Sequence, residues 1–257
     1  MGTELHLDLG TLYAFLLVLA RISGAFIYIP LPGIKSGPEV ARAILSVSMT
    51  FVLFPRWPVI DPSQINIALL IGWMFAEAGM GLAVGLAVAF VTEGFQMGAQ
   101  IISLQAGYSF ATTIDPNSGA DSGVLLSIAQ LAAGLLFFAT GLDRQILLIF
   151  SESLATHPPG HFVLSQSMAN GLIQLGASIF TTGLRLVLPL LGLLLMVEIS
   201  LALLARLNAQ LHLITLAFPI KMLLSLSLLG WLLLVFPKVF SQSSVQVLQW
   251  IRAFISA

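Results

Sequence analysis

Two stretches, residues 94–114 and 122–142, contain no charged side chain at all. A helix needs about 20 apolar residues to cross a hydrocarbon core of about 30 Å, and both stretches meet that length. Residues 64–92 hold only Glu77, residues 9–34 hold only Arg21, and residues 43–54 form a shorter apolar run ending before Arg56. A long apolar region at 171–237 is interrupted by Arg185, Pro189, Glu198, Arg206, His212, Pro219 and Lys221, leaving room for two or three helices. Charged residues make up 8% of the 257 residues, against about 25% in a typical soluble protein. So few charges cannot cover a water-exposed surface. The chain therefore reads as an integral membrane protein.

The runs are too long and continuous for the alternating strands of an outer-membrane barrel. The expected fold is all-α and polytopic, with about six to seven apolar helical segments in a single membrane domain over 1–257. The breaks carry turn chemistry: residues 30–33, Pro55 and Pro58, residues 115–119, and residues 157–161. Lys35 and Arg42 favour a cytoplasmic first loop and an N-terminus outside. With Glu4 and Asp8 but no Lys or Arg before Arg21, the start does not resemble a cleaved signal peptide. The net charge of −1 argues against nucleic-acid binding. The absence of Cys removes disulfides and thiolate chemistry.

Enzymatic motifs are weak. His157 and His161 are four apart, but Pro158, Pro159 and Gly160 prevent a helix from placing them on one face. Gly176-Ala177-Ser178, with His212 as a distant base, has the spacing of an intramembrane serine protease, but small residues also serve helix packing. Gly141-Leu142-Asp143 lacks the second glycine of the aspartyl intramembrane motif. No phosphate-cradling glycine loop is present. No enzyme activity, metal or cofactor is expected.

Six charges, Arg21, Glu77, Arg185, Glu198, Arg206 and Lys221, stand inside apolar segments, at about 2.5–3.5 kcal/mol each on insertion scales. One reading is snorkelling near helix ends; the other is burial against partner subunits. Gly81-x-x-x-Gly85 and Gly94-x-x-x-Gly98 permit close helix contact. The segment 107–123 joins the two charge-free runs and is rich in Gly, Ser and Thr. Backbone that irregular cannot face lipid; it lies in water, in protein or in a cavity, and a plain extramembrane loop is one reading of it.

Gln105-Ala106-Gly107-Tyr108-Ser109-Phe110-Ala111-Thr112-Thr113-Ile114-Asp115-Pro116 resembles the Q-x-G-x-S-x-A-x-x-(I/V)-D-P stretch of the FliR family of flagellar export-gate subunits. That family is related to the SctT/SpaR-type proteins of injectisomes. Pro32-Gly33 with Pro38 and Arg42, Leu135-Leu136-Phe137 with Gly141-Leu142, and Leu188-Pro189 followed by Arg206, Gln210 and Phe218-Pro219-x-Lys221 extend the resemblance over nearly the whole chain. Asp143, Ala209 and His212 depart from the family's usual residues.

The resemblance implies helical hairpins in a pore-lining assembly with FliP-like and FliQ-like subunits and an FlhB-like switch protein. That assembly conducts unfolded substrates across the bacterial inner membrane at the flagellar basal body. It also implies a plug role for the 107–123 loop, with Gly107, Gly119 and Gly123 as hinges, Phe110 and Ile114 as the apolar constriction, and Asp115-Pro116 fixing a turn. On this reading the six intramembrane charges lie at subunit interfaces. The alternatives are an injectisome export-gate subunit and, from a different class, a small-molecule secondary transporter.

Overall fold

The computed structural model describes residues 8–30, 39–108, 124–160, 166–207 and 213–256. Seven α-helices occur among them: α1 (Leu9–Phe26), α2 (Glu39–Val52), α3 (Ile67–Ala106), α4 (Val124–Ala139), α5 (Leu142–Thr156), α6 (Gln166–Leu207) and α7 (Leu213–Ser256). Two 3-10 turns, Phe54–Arg56 and Pro62–Gln64, join α2 to α3, and no strand appears among the described residues. The all-α polytopic architecture follows the apolar pattern.

The helix boundaries differ from the run-by-run reading. The runs at 64–92 and 94–114 were separated by a single Glu93, which is exposed. The backbone ladder passes through it, and α3 is one helix of 40 residues. Pro189 lies inside α6, and Pro219 and Pro237 lie inside α7. A proline removes one ladder bond, and in an apolar setting the surrounding ladder continues because free carbonyls have no water to turn to. Four helices are long and apolar enough to cross a membrane, or five if α4 and α5, bent by 56° at their junction, count as one broken span. Gly141 makes that bend with a φ of +67°, a left-handed conformation suited to glycine. At 1.5 Å per residue, α3, α6 and α7 are each about 60 Å long or more, roughly twice the hydrocarbon thickness.

The chain divides into two compact units. Unit 1 comprises Met1–Phe90, Phe137–Gly176 and Ser244–Ala257; unit 2 comprises Val91–Leu136 and Ala177–Ser243. In unit 1, α1 and α3 touch backbone to backbone. A Cβ on Gly81 would strike the carbonyl oxygen of Arg21, one on Gly85 that of Ala25, and one on Gly24 that of Ala78. The glycine spacing on α3 therefore serves close packing. Ala14, Leu17, Val18, Val84, Ala87 and Val88 fill the core of the unit. In unit 2, Gly94 and Gly183 bring α3 and α6 together, and a Cβ on Gly98 would meet Val187. Phe95 stacks on Phe236 at 3.5 Å between ring centres.

Candidate functional site

The first polar cluster lies inside unit 1. Arg21, on α1, is 1% exposed and Glu77, on α3, is 0% exposed. Arg21 Nε donates to Glu77 Oε2 at 2.5 Å. The other two guanidinium nitrogens donate to Ser153 Oγ on α5 and to the carbonyl of His157, each at 3.0 Å. The second carboxylate oxygen, Glu77 Oε1, accepts from the backbone N–H of Gly160 at 3.0 Å. The Ser153 hydroxyl in turn donates to the carbonyl of Phe150. Every nitrogen of the guanidinium and both carboxylate oxygens thus have partners, which is what a buried ion pair requires. The turn at 157–160 closes the cluster. Gly160 has a φ of +99°, and a Cβ there would press into the Trp73 ring.

Arg21 and Glu77 were expected at an interface with partner subunits. Instead they satisfy each other within the chain. Two opposite charges, each alone in an apolar run, are the only sequence signal for that pairing. The roles of Ser153, the His157 carbonyl and Gly160 had no sequence signal.

The second cluster lies in unit 2, where α3 ends. Glu198 on α6 receives Gln105 Nε2 at 2.9 Å and Lys221 Nζ of α7 at 3.2 Å. Its side chain is 47% exposed, whereas that of Lys221 is 13% exposed. Tyr108 donates its hydroxyl to the carbonyl of Met222 on α7 at 3.0 Å. Helix α3 stops at Gly107, φ +90°, with Gly107 N–H on Leu104 O and Tyr108 N–H on Ser103 O. That is the paired closure of a Schellman end, for which glycine is suited. The residues around Glu198 and Lys221 line a cleft of about 210 Å³ with Leu201, Ala205 and Phe218. Arg185 and Arg206 are exposed on α6.

Of the expected plug residues, Gly107 forms this helix end. Phe110, Ile114, Asp115, Pro116, Gly119 and Gly123 lie outside the described residues, as do His161 and His212. Gly176 faces the Phe90 ring, where an added Cβ would collide, so the small residue serves packing there. Among the described residues no group of three or more His, Asp or Glu side chains has the geometry to hold a metal ion.

The arrangement offers two polar nodes joining helices, and long apolar helices that leave much of α6 and α7 uncovered. Residues 12–247 match the family model described as bacterial export proteins, family 1. The chain belongs to this family. Its relatives include the flagellar biosynthetic protein FliR of Escherichia coli K12, 31% identical over 222 residues covering 86% of this chain and 83% of that protein. FliR of Bacillus subtilis is 26% identical over 224 residues, covering 84% of each chain. The Yop proteins translocation protein T of Yersinia pestis is 25% identical over 221 residues, covering 82% of each chain. Both polar nodes of this bacterial export protein fall within the matched residues.

Proposed function

We propose that this chain is the FliR-type membrane subunit of a flagellar type III protein export apparatus. The observation that carries the reading is the family match over residues 12–247, with flagellar relatives that include one at 31% identity. The family is an export component, and the chain works as a structural part of a conduit. Energy for transport comes from outside it.

The finer reading places the chain in the inner membrane at the flagellar basal body, beside FliP-like and FliQ-like subunits and an FlhB-like switch protein. Unfolded export substrates pass along the assembly. The exposed charges Arg185 and Arg206, and the half-exposed Glu198, support an interface with other subunits, because on a lipid-facing surface each is costly. The 107–123 segment acts as the closed-state plug. Phe110 and Ile114 supply an apolar constriction that dewets, and Gly107, Gly119 and Gly123 supply freedom to move aside.

Disruption of the gene in its own bacterium should abolish the appearance of flagellar filament protein outside the cell, and the intact gene should restore it. Unchanged flagellar export together with loss of a different secreted set would favour the injectisome reading. Deleting residues 110–119 should let small ions or dyes leak through the assembled gate. A normally assembled deletion variant whose membrane stays as tight as wild type would remove the plug assignment and leave the family assignment standing.

A further inference from the structure

The part of α6 that lies in unit 2 turns one face to its own unit and leaves the other open. At 3.6 residues per turn, buried Ile179, Gly183, Val187, Leu190 and Leu194 fall on a single face. That face packs on α3, where Gly94 meets Ile179 and Gly98 meets Val187. Opposite it, Leu188, Leu195, Met196, Ile199 and Leu203 form an exposed apolar stripe. Arg185 stands at one end of the stripe and Arg206 at the other, both exposed. Among the described residues neither guanidinium has a hydrogen bond or an ion pair. The two arginines are 21 residues apart, and Glu198 is the only charge between them in sequence. At 1.5 Å per residue the stripe is about 30 Å long. Glu198 sits on its flank, where Lys221 of α7 meets it at 3.2 Å.

Gly192 lies on the stripe, seven residues from Arg185. A Cβ added there would meet nothing within 4 Å. Glycine is a poor residue for a helix interior. Gly183 of the same helix has a reason within the chain, since a Cβ there would strike the carbonyl oxygen of Gly94. Gly192 has no such neighbour among the described residues. A missing Cβ on an exposed apolar face lets a second helix backbone approach closely.

Lipid fits this face poorly. If the arginines marked two headgroup layers, the Glu198 carboxylate, with its side chain 47% exposed, would stand inside the hydrocarbon, where a charge is costly. Acyl chains also gain nothing from the hollow at Gly192. A second copy of the chain fits no better, because the stripe holds no acid, and two stripes face to face would leave four guanidinium groups unpaired. A different helix, apolar between two carboxylates, answers each feature. Its acids take the guanidinium groups in charge-assisted pairs, whereas covering an arginine without a partner is costly.

We propose, on the reading of this chain as one subunit of an export apparatus, that the stripe from Arg185 to Arg206 seats one apolar helix of a different subunit. That helix runs within about 20° of α6 and comes closest at Gly192. It carries two carboxylates about 20 residues apart, one for each arginine.

The tagged full chain replaces the native copy in its own bacterium, and complexes are extracted in mild detergent. Gly192→Leu places its side chain in open space, so the melting temperature of the chain purified by itself should hold or rise. The yield of co-purifying subunits should nevertheless fall by roughly fivefold or more, because the backbones can no longer meet. Arg185→Glu and Arg206→Glu should each lower that yield by roughly tenfold or more. In the otherwise unchanged chain, p-benzoylphenylalanine at Leu195 or at Ile199 is irradiated and the linked peptide is read by mass spectrometry. Both positions should link to one helix of one other protein, and that helix should hold the two acids. Changing the acid that faces Arg185 to Arg should restore the yield lost in Arg185→Glu. Wild-type yield for Gly192→Leu and both arginine variants would overturn the proposal. So would links to lipid alone, or to a helix without acids. Flagellar export that persists without the gene, while the links and yields behave as stated, would remove only the flagellar reading. A wild-type chain that co-purifies with no other subunit would remove both.

Discussion

Arg21 shows how a charge is made tolerable in an apolar helix. Its guanidinium has three directions of donation, and α1, α3, α5 and the turn after α5 supply an acceptor or shape the site for each. Breaking a buried pair from one side costs about 3–5 kcal/mol, since it strands the other charge, whereas replacing both by apolar residues is often close to neutral. Arg21→Leu and Glu77→Leu alone should each lower the thermal stability of the detergent-solubilised chain sharply. The double variant should recover much of the loss. Arg21→Lys should recover less than the double variant, because an ammonium cannot reach Glu77, Ser153 and the His157 carbonyl together with the geometry of a guanidinium fork. A double variant whose loss equals the sum of the two single losses would show that the two charges are not coupled.

At the scale of elements, the end of α3 is tied to both long helices of unit 2. Gln105 and Lys221 share the Glu198 carboxylate, and Tyr108 holds a backbone carbonyl of α7. A half-exposed ion pair contributes little to stability, typically 1 kcal/mol or less. Lys221→Ala should therefore leave melting of the chain almost unchanged. If Glu198 and Lys221 set the positions of the helix ends within the assembly, the same substitution should reduce recovery of the assembled complex. The charge swap Glu198→Lys with Lys221→Glu should restore it. A cysteine pair at positions 105 and 198 should be joined by a short bifunctional maleimide, which checks the adjacency directly in a chain with no Cys of its own.

At the scale of the whole molecule, the two units differ in how much they cover themselves. In the apolar window of α1, which lies entirely in unit 1, 56% of residues are buried, against 17% for α6 and 28% for α7. Exposed Leu193, Met196, Ile199, Leu203, Leu223 and Leu234 belong to unit 2. Amide exchange follows local opening, and segments with few buried contacts open most readily. In a chain purified without partner subunits, amides near Leu17, Val84 and Ser153 should exchange slowly, while those of α6 after Ala177 exchange faster. Adding the co-purifying subunits should slow α6 and α7 most. Uniform protection in the lone chain would mean that unit 2 needs no covering partner.

What the sequence determined was the medium and the element type. Long charge-free runs leave no option but helix in a bilayer, because every backbone N–H and C=O must find its partner within the segment. The glycine spacing on α3 also announced close helix contact, since only an absent Cβ lets backbones meet. The Gln105–Pro116 stretch identified the family. Tertiary structure decided the rest. Hydropathy reads composition along the chain, so it divided α3 at Glu93 and counted prolines in α6 and α7 as interruptions, where the helices run on with one ladder bond lost at each proline. It could not tell a charge buried against its opposite from a charge left open. Arg21 and Arg185 look alike in sequence, each alone among apolar neighbours. One is 1% exposed with Glu77 beside it and the other lies on an open helix face, because which helices lie side by side is set by packing between residues far apart in the chain.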